Sequence, residues 1–360
     1  MKILIIVPSL RKTGVTEVIK NLVIQSKKNG EVSYSLLALK DEDSYNKRSF
    51  FNYVEKIFIL KGNKNISILK IRELNKIIKK VNPDIVHLHG FVSELYIPFI
   101  RNRKVITTAH NMGEGDFRFT YGPMLGALIS ILQLVLYRKL DVIVGVSKSV
   151  SKHYTSKKIK RVYTIENGVC VPSTTPKEIK CFTRPIGIYV GNVDKRKNVE
   201  ALLDNFHRIS KKQNIGTLII VGDNPKDKSF FDKVRYKYDF NEIYFTGRVS
   251  NVFEYLSAAD YFISASKNEG LPMAAIEAMG ENLYLILSDI PQHRELKKNN
   301  NQNIVFFKND KEMKNAILSY TNNADNLINS TNYKIFSEYF NSKIMFSKYL
   351  ALYKKIINDY

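Results

Sequence analysis

Short, nearly unbroken runs of Val, Ile and Leu alternate along this chain with longer segments of mixed polar and apolar residues, and few folds accept that pattern. In the first half the runs cover residues 3–7, 33–38, 57–60, 84–88, 104–109 and 141–146. Runs without period-two alternation suit parallel strands covered on both faces. Helical periodicity fills the intervals, as in Val15 to Ser26, Ile66 to Lys80 and Tyr121 to Lys139. The pattern predicts an open α/β sheet. It breaks at 171–185, which holds Pro172, Pro176 and Pro185, and then resumes at 186–190, 218–221, 243–245, 261–264, 283–287 and 304–307. The reading is two Rossmann-like domains in tandem, residues 1–170 and 186–335. A linker at 171–185 joins them, and a terminal helix at 336–360 returns to the first. A length of 360 residues suits two cores better than one.

Charge narrows the partners. Residues 1–170 carry 29 Lys and Arg against 13 Asp and Glu, a net of +16, and the remainder 27 against 21, a net of +6. A basic first half favours an anionic partner such as a membrane surface or a phosphorylated acceptor. Nucleic acid is disfavoured, because no aromatic residues interleave with the basic ones in a known binding pattern. The two cysteines, Cys170 and Cys181, form no metal-ligand spacing and fit a reducing, cytoplasmic setting. The run Ile3 to Val7 is stopped by Pro8 and reads as a first buried strand rather than a signal peptide. Met124 to Tyr137 falls short of the ~20 residues that span a bilayer. It reads as a helix that either packs inside the first domain or rests on a membrane.

Ligands of open α/β sheets bind outside the carboxyl ends of the strands, so polar residues there are the candidates. After the first strand, Gly14 opens a loop before a helix and suits a phosphate, although neither the dinucleotide nor the P-loop spacing is present. His87, His89 and His110 lie at two strand ends. His110, followed by a polar glycine-rich loop to Gly115, is expected to bond a substrate hydroxyl or phosphate, and His87 to be buried. In the second half, Lys195, Arg196 and Lys197 form a cation run able to neutralise a diphosphate. Ser264 to Gly280 carries Glu269, Gly270, Leu271 and Pro272 into a helix with Glu277 inside it and Gly280 as its stop. That helix would turn its amino terminus to a diphosphate, leaving Glu269 and Glu277 for the hydroxyls of a sugar and a ribose.

Glu269 and Glu277 form an E-x7-E pair, and with Gly14, Ile85 to Gly90, Thr107 to His110, Glu166 to Val169, Lys197, Gly222 and Phe245 to Arg248 they resemble the retaining glycosyltransferases of family 4. The resemblance spans nearly the whole chain and is more specific in its second half. It implies the GT-B fold, in which two Rossmann-like domains face each other across a donor-binding cleft. It implies that Lys197 contacts the donor diphosphate, Glu277 the ribose and Glu269 a hydroxyl of the transferred sugar. His110 would lie near the reacting centre, and the Gly14 loop would close over phosphate or acceptor. Gly270, Leu271, Pro272 and Arg248 complete the donor-binding set. The family usually has an arginine after the strand-end glycine where this chain has Asn192, so the phosphate clamp would be rebuilt from Arg196 or Arg11.

The expected reaction is retaining transfer of a hexosyl or N-acetylhexosaminyl group from a nucleoside diphosphate sugar, UDP-linked before GDP-linked. The acceptor is a saccharide or lipid-linked saccharide of an envelope polysaccharide or glycolipid, met at the inner face of the cell membrane. No cofactor or metal is expected, since Lys197 and the helix dipole can neutralise the leaving group. The rivals are a sugar-nucleotide epimerase or glycoside phosphorylase of the same fold, and a polyanion- or nucleic-acid-binding protein suggested only by charge.

Overall fold

A computed structural model describes residues 1–42, 44–62, 66–172, 182–224, 227–238, 241–323 and 331–359. The chain divides into two compact units. The first comprises Met1–Gly168 with Phe340–Tyr360, and the second Val169–Tyr339. Most of the expected linker, with Cys181, lies outside the described residues.

Seven parallel strands build the first unit: β1 Lys2–Val7, β2 Ser33–Ala38, β3 Lys56–Ile59, β4 Ile85–His89, β5 Lys104–Ala109, β6 Val142–Gly145 and β7 Val162–Thr164. Their order is β3-β2-β1-β4-β5-β6-β7. The second unit has six: β8 Ile186–Val190, β9 Thr217–Val221, β10 Ile243–Gly247, β11 Tyr261–Ser264, β12 Tyr284–Ser288 and β13 Ile304–Phe307. Their order is β10-β9-β8-β11-β12-β13. Central strands such as β1 and β9 are buried almost throughout, as strands covered on both faces must be. Strand order reverses direction between β1 and β4 and between β8 and β11, and at such switch points the loops part and leave a crevice.

Three local features depart from the sequence reading. The edge strand β7 joins the six expected in the first unit. The residues after His110 form a helix, Gly113–Tyr121, where a loop to Gly115 was expected; Glu114 and Asp116 in its first turn favour the dipole. Gly280 is the last residue of the Met273–Gly280 helix rather than a residue beyond it. A Cβ there would stand 2.4 Å from Cγ2 of Val171, so packing demands the glycine.

The helix Ser342–Asn358 belongs to the first unit and carries two tyrosines into its core. Tyr353 bonds His87 Nδ1 at 2.8 Å, and Tyr349 bonds Thr108 Oγ1 at 2.8 Å. Thr108 Oγ1 in turn lies 2.8 Å from His87 Nε2. Both ring nitrogens of the fully buried His87 are thereby satisfied, as its expected burial requires.

Candidate functional site

In the second unit the loops that follow β8 and β11 meet beside the switch point. Asp194 Oδ1 accepts from the Lys197 backbone N–H at 2.8 Å, and Asn198 takes a left-handed conformation, φ 55°, to start the next helix. The Lys267 N–H donates to Arg196 O at 2.9 Å and ties the two loops together. Across this junction Lys197 Nζ reaches Glu269 Oε1 at 2.5 Å. Arg196 Nη1 donates to Asn268 O at 2.8 Å and to Glu269 Oε2 at 3.3 Å. Glu269 is 6% exposed. Burial alone would raise its carboxyl, but Lys197 and then Arg196 outweigh it and hold the group at about 2. The carboxylate is therefore charged at neutral pH and saturated with cations.

Gly270, Leu271 and Pro272 are buried behind Glu269, and the Met273–Gly280 helix starts without a side-chain cap. Its first N–H groups are the kind that receive an anion. Glu277 is half-buried at the fifth position of that helix. Of the cation run, Lys195 points to solvent while Arg196 and Lys197 turn inward to Glu269. The exposed Asn192 accepts from the Tyr189 hydroxyl through its carbonyl at 2.7 Å. Arg248 is exposed just beyond β10, the outermost strand on that side. Close behind, Gly222 has φ 138°, and a Cβ there would lie 2.0 Å from Gly191 O, so only glycine lets the ends of β8 and β9 approach.

Two buried groups beside this cluster escaped the sequence reading. His293 Nδ1 lies 2.8 Å from Ser288 O, which can only accept, so that nitrogen carries the proton. Burial lowers the ring to about 4, with Glu269 opposing, and leaves it neutral. Its Nε2 and the Nε2 of Gln292 have no hydrogen-bond partner among the described residues. They follow β12, and the strand-end rule that found the other candidates applies equally there.

In the first unit, His89 ends β4 and His110 follows β5. Their rings meet through Nδ1 of His89 and Nε2 of His110 at 2.9 Å. His89 is fully buried, and its Nε2 has no partner among the described residues. Burial drives His89 well below the ordinary histidine value and His110 to about 4. Both rings are neutral at pH 7, and the shared bond leaves Nδ1 as the His110 nitrogen for a ligand. Gly14 is the exposed first residue of the Gly14–Asn29 helix, capped by Thr13 and Thr16 in a reciprocal capping box. Among the described residues no group of three or more His, Cys, Asp or Glu is placed to hold a metal ion.

Residues 13–171 match the family model for Glycosyltransferase Family 4, and residues 184–323 that for Glycosyl transferases group 1. The chain is 23% identical to the O-antigen biosynthesis glycosyltransferase WclY of Escherichia coli, over 100% of this chain and 99% of that protein. It is 30% identical to the capsular polysaccharide biosynthesis glycosyltransferase CapH of Staphylococcus aureus, over 61% of this chain and 64% of that one. In fold it is similar to Anabaena Alr3699/HepE, solved in complex with UDP-glucose, with a TM-score of 0.80 and 14% identity over 99% and 100% of the two chains.

Proposed function

Because this chain is a glycosyltransferase of the GT-B fold, acts on a nucleotide-sugar donor and is related to the family 4 and group 1 transferases, we propose that it transfers a hexosyl or N-acetylhexosaminyl group from a UDP-sugar with retention of configuration. The observation that carries the reading is the buried Glu269 carboxylate held by Lys197 and Arg196 at the β8/β11 switch point. A diphosphate arriving there takes over the two cations and frees the carboxylate for a hydroxyl of the sugar. Arg196, standing beside Lys197, supplies the charge that Asn192 does not. The uncapped helix start at Met273 adds backbone donors, and Glu277 receives the ribose hydroxyls.

His110 offers Nδ1 to the sugar near its reacting carbon. The acceptor oxygen attacks the anomeric carbon on the face from which the diphosphate departs. As the bond to the phosphate oxygen breaks, the acceptor proton passes to that oxygen. Stabilising the departing charge is the main catalytic task, and fixed cations and N–H dipoles perform it without reorganising. The acceptor is a saccharide or lipid-linked saccharide of an envelope polysaccharide or glycolipid, in keeping with the O-antigen and capsular relatives. The enzyme works in the cytoplasm, at the inner face of the membrane.

A panel of UDP- and GDP-sugars, screened by thermal shift and then by nucleotide release with saccharide acceptors, tests the donor. The anomeric coupling constant of the product tests retention. Inverted product, or conversion of the donor without acceptor, overturns the reading.

A further inference from the structure

The helix Pro123–Tyr137 is built inside out. Its buried residues are Gly126, Ser130, Gln133, Leu136 and Tyr137. Met124, Leu125, Leu128, Ile131, Leu132 and Val135 face solvent, with Met124 83% and Leu128 64% exposed. At about 100° per residue these six fall within an arc of roughly 120° opposite the buried polar face. The inversion is locked from below. Gln133 Nε2 and the Tyr137 hydroxyl both donate to the buried Glu94 carboxyl at 2.8 Å, and Thr107 donates to it at 2.9 Å. Gly126 is crossed so closely by the preceding helix that a Cβ would lie 2.6 Å from the Arg118 backbone nitrogen. Rotating the apolar face inward would break the Gln133 and Tyr137 bonds to Glu94 and drive side chains against the preceding helix at position 126.

We infer that this face seats the first unit on an anionic lipid bilayer. The helix carries no charged side chain, while exposed Arg138 and Lys139 follow its carboxyl end and exposed Arg118, paired with Glu114 at 3.0 Å, precedes its amino end. Phe119 and Tyr121, also exposed, continue the apolar surface. Aliphatic side chains between cations match acyl chains beneath phosphate headgroups. The charge of the whole unit agrees: residues 1–168 and 340–360 carry 33 Lys and Arg against 14 Asp and Glu, net +19, of the +22 for the chain. Among the described residues no helix is long and apolar enough to cross a membrane, and a helix of 15 residues lying flat needs no such length. The inference deepens the proposed setting by naming its contact surface, and it rests on that reading only for the location of the acceptor.

The chain contains no tryptophan, so Leu128→Trp installs a single reporter. With vesicles of phosphatidylethanolamine and phosphatidylglycerol, its emission is expected to shift to the blue and to be quenched by lipids brominated along the acyl chain. Vesicles of phosphatidylcholine alone should produce neither effect, and added salt should weaken both. Leu128→Ser with Ile131→Ser, made in the natural chain, should lower vesicle partitioning by about tenfold per residue while UDP affinity stays unchanged. An unshifted reporter overturns the inference, and so does a blue-shifted reporter without vesicles in a protein of dimeric mass, which would assign the face to a second copy. Loss of UDP binding by the natural chain, with vesicle binding intact, would instead sink the reading of the donor site.

Discussion

Glu269→Gln separates two roles that the same carboxylate plays. In the free protein Glu269 occupies Lys197 at 2.5 Å and Arg196 at 3.3 Å. Its depression from 4.5 to about 2 measures how strongly the site prefers the anion, roughly 3 kcal/mol at 1.36 kcal/mol per unit. A diphosphate must compete with that preference. Replacing the carboxylate by an uncharged amide of the same shape releases both cations, and about half of the preference should reappear in ligand affinity. UDP is therefore expected to bind Glu269→Gln about tenfold more tightly, near 1.4 kcal/mol, with uridine unaffected. Turnover with the UDP-sugar should fall, because the charged partner of the sugar hydroxyl is gone. Lys197→Ala is the companion: it should weaken UDP and leave uridine alone. Titration calorimetry with both ligands measures these terms, and steady-state rates measure the last. If Glu269→Gln binds UDP tenfold more weakly while remaining folded, the two cations are not reserved for the diphosphate and the reasoning fails.

Glu277→Ala should weaken uridine and UDP alike by about 2–3 kcal/mol, and calorimetric affinities within twofold of the natural protein would remove it from the ribose. His110→Ala should cut turnover while sparing UDP affinity. His89→Phe should act in the same direction by freeing the His110 ring, which imidazole 15N shifts would reveal independently of activity; an unchanged His110 tautomer in that variant refutes the coupling. Acid should destabilise the fold in two stages. His87 and His293, held at about 3 and about 4 against 6.5 unfolded, add nothing above pH 6.5, and each should cost about 2 kcal/mol by pH 5 as the unfolded chain takes up protons. The stability that the Glu269 ion pairs contribute is present above pH 4.5 and is lost between 4.5 and about 2. Urea unfolding from pH 7 to pH 5 checks the first stage, and a flat stability across that interval contradicts it.

Strand positions were largely legible because a strand buried on both faces needs an apolar residue at nearly every position; 33–38, 104–109, 186–190, 261–264 and 304–307 coincide with observed strands. β7 was not legible. It has three partly exposed residues, so neither its length nor its hydrophobicity stands out. Lys197 and Glu269 could be nominated separately, but their pairing across 72 positions depends on the order of β8 and β11, which no local pattern encodes. His89 and His110 illustrate the same limit, since their contact follows from the pairing of β4 with β5. Met124 to Tyr137 was ambiguous for another reason: hydropathy counts apolar residues without saying which face packs. The small and polar residues at 126, 130, 133 and 137, spaced four, three and four apart, trace a second stripe that proved to be the buried one.

The helix Ser342–Asn358 sets an order on the birth of the molecule. Its tyrosines close the first unit over His87 and Thr108, yet all of Val169–Tyr339 is synthesised before it. The second unit can collapse on its own residues as they emerge, whereas the first must wait, with buried polar groups unsatisfied, until its final helix leaves the ribosome. A premature stop near position 340 would therefore damage the amino-terminal half of the protein and leave the adjacent unit whole. A nascent chain stalled before that point should expose the first unit to protease, and this vulnerability should end when the helix is released.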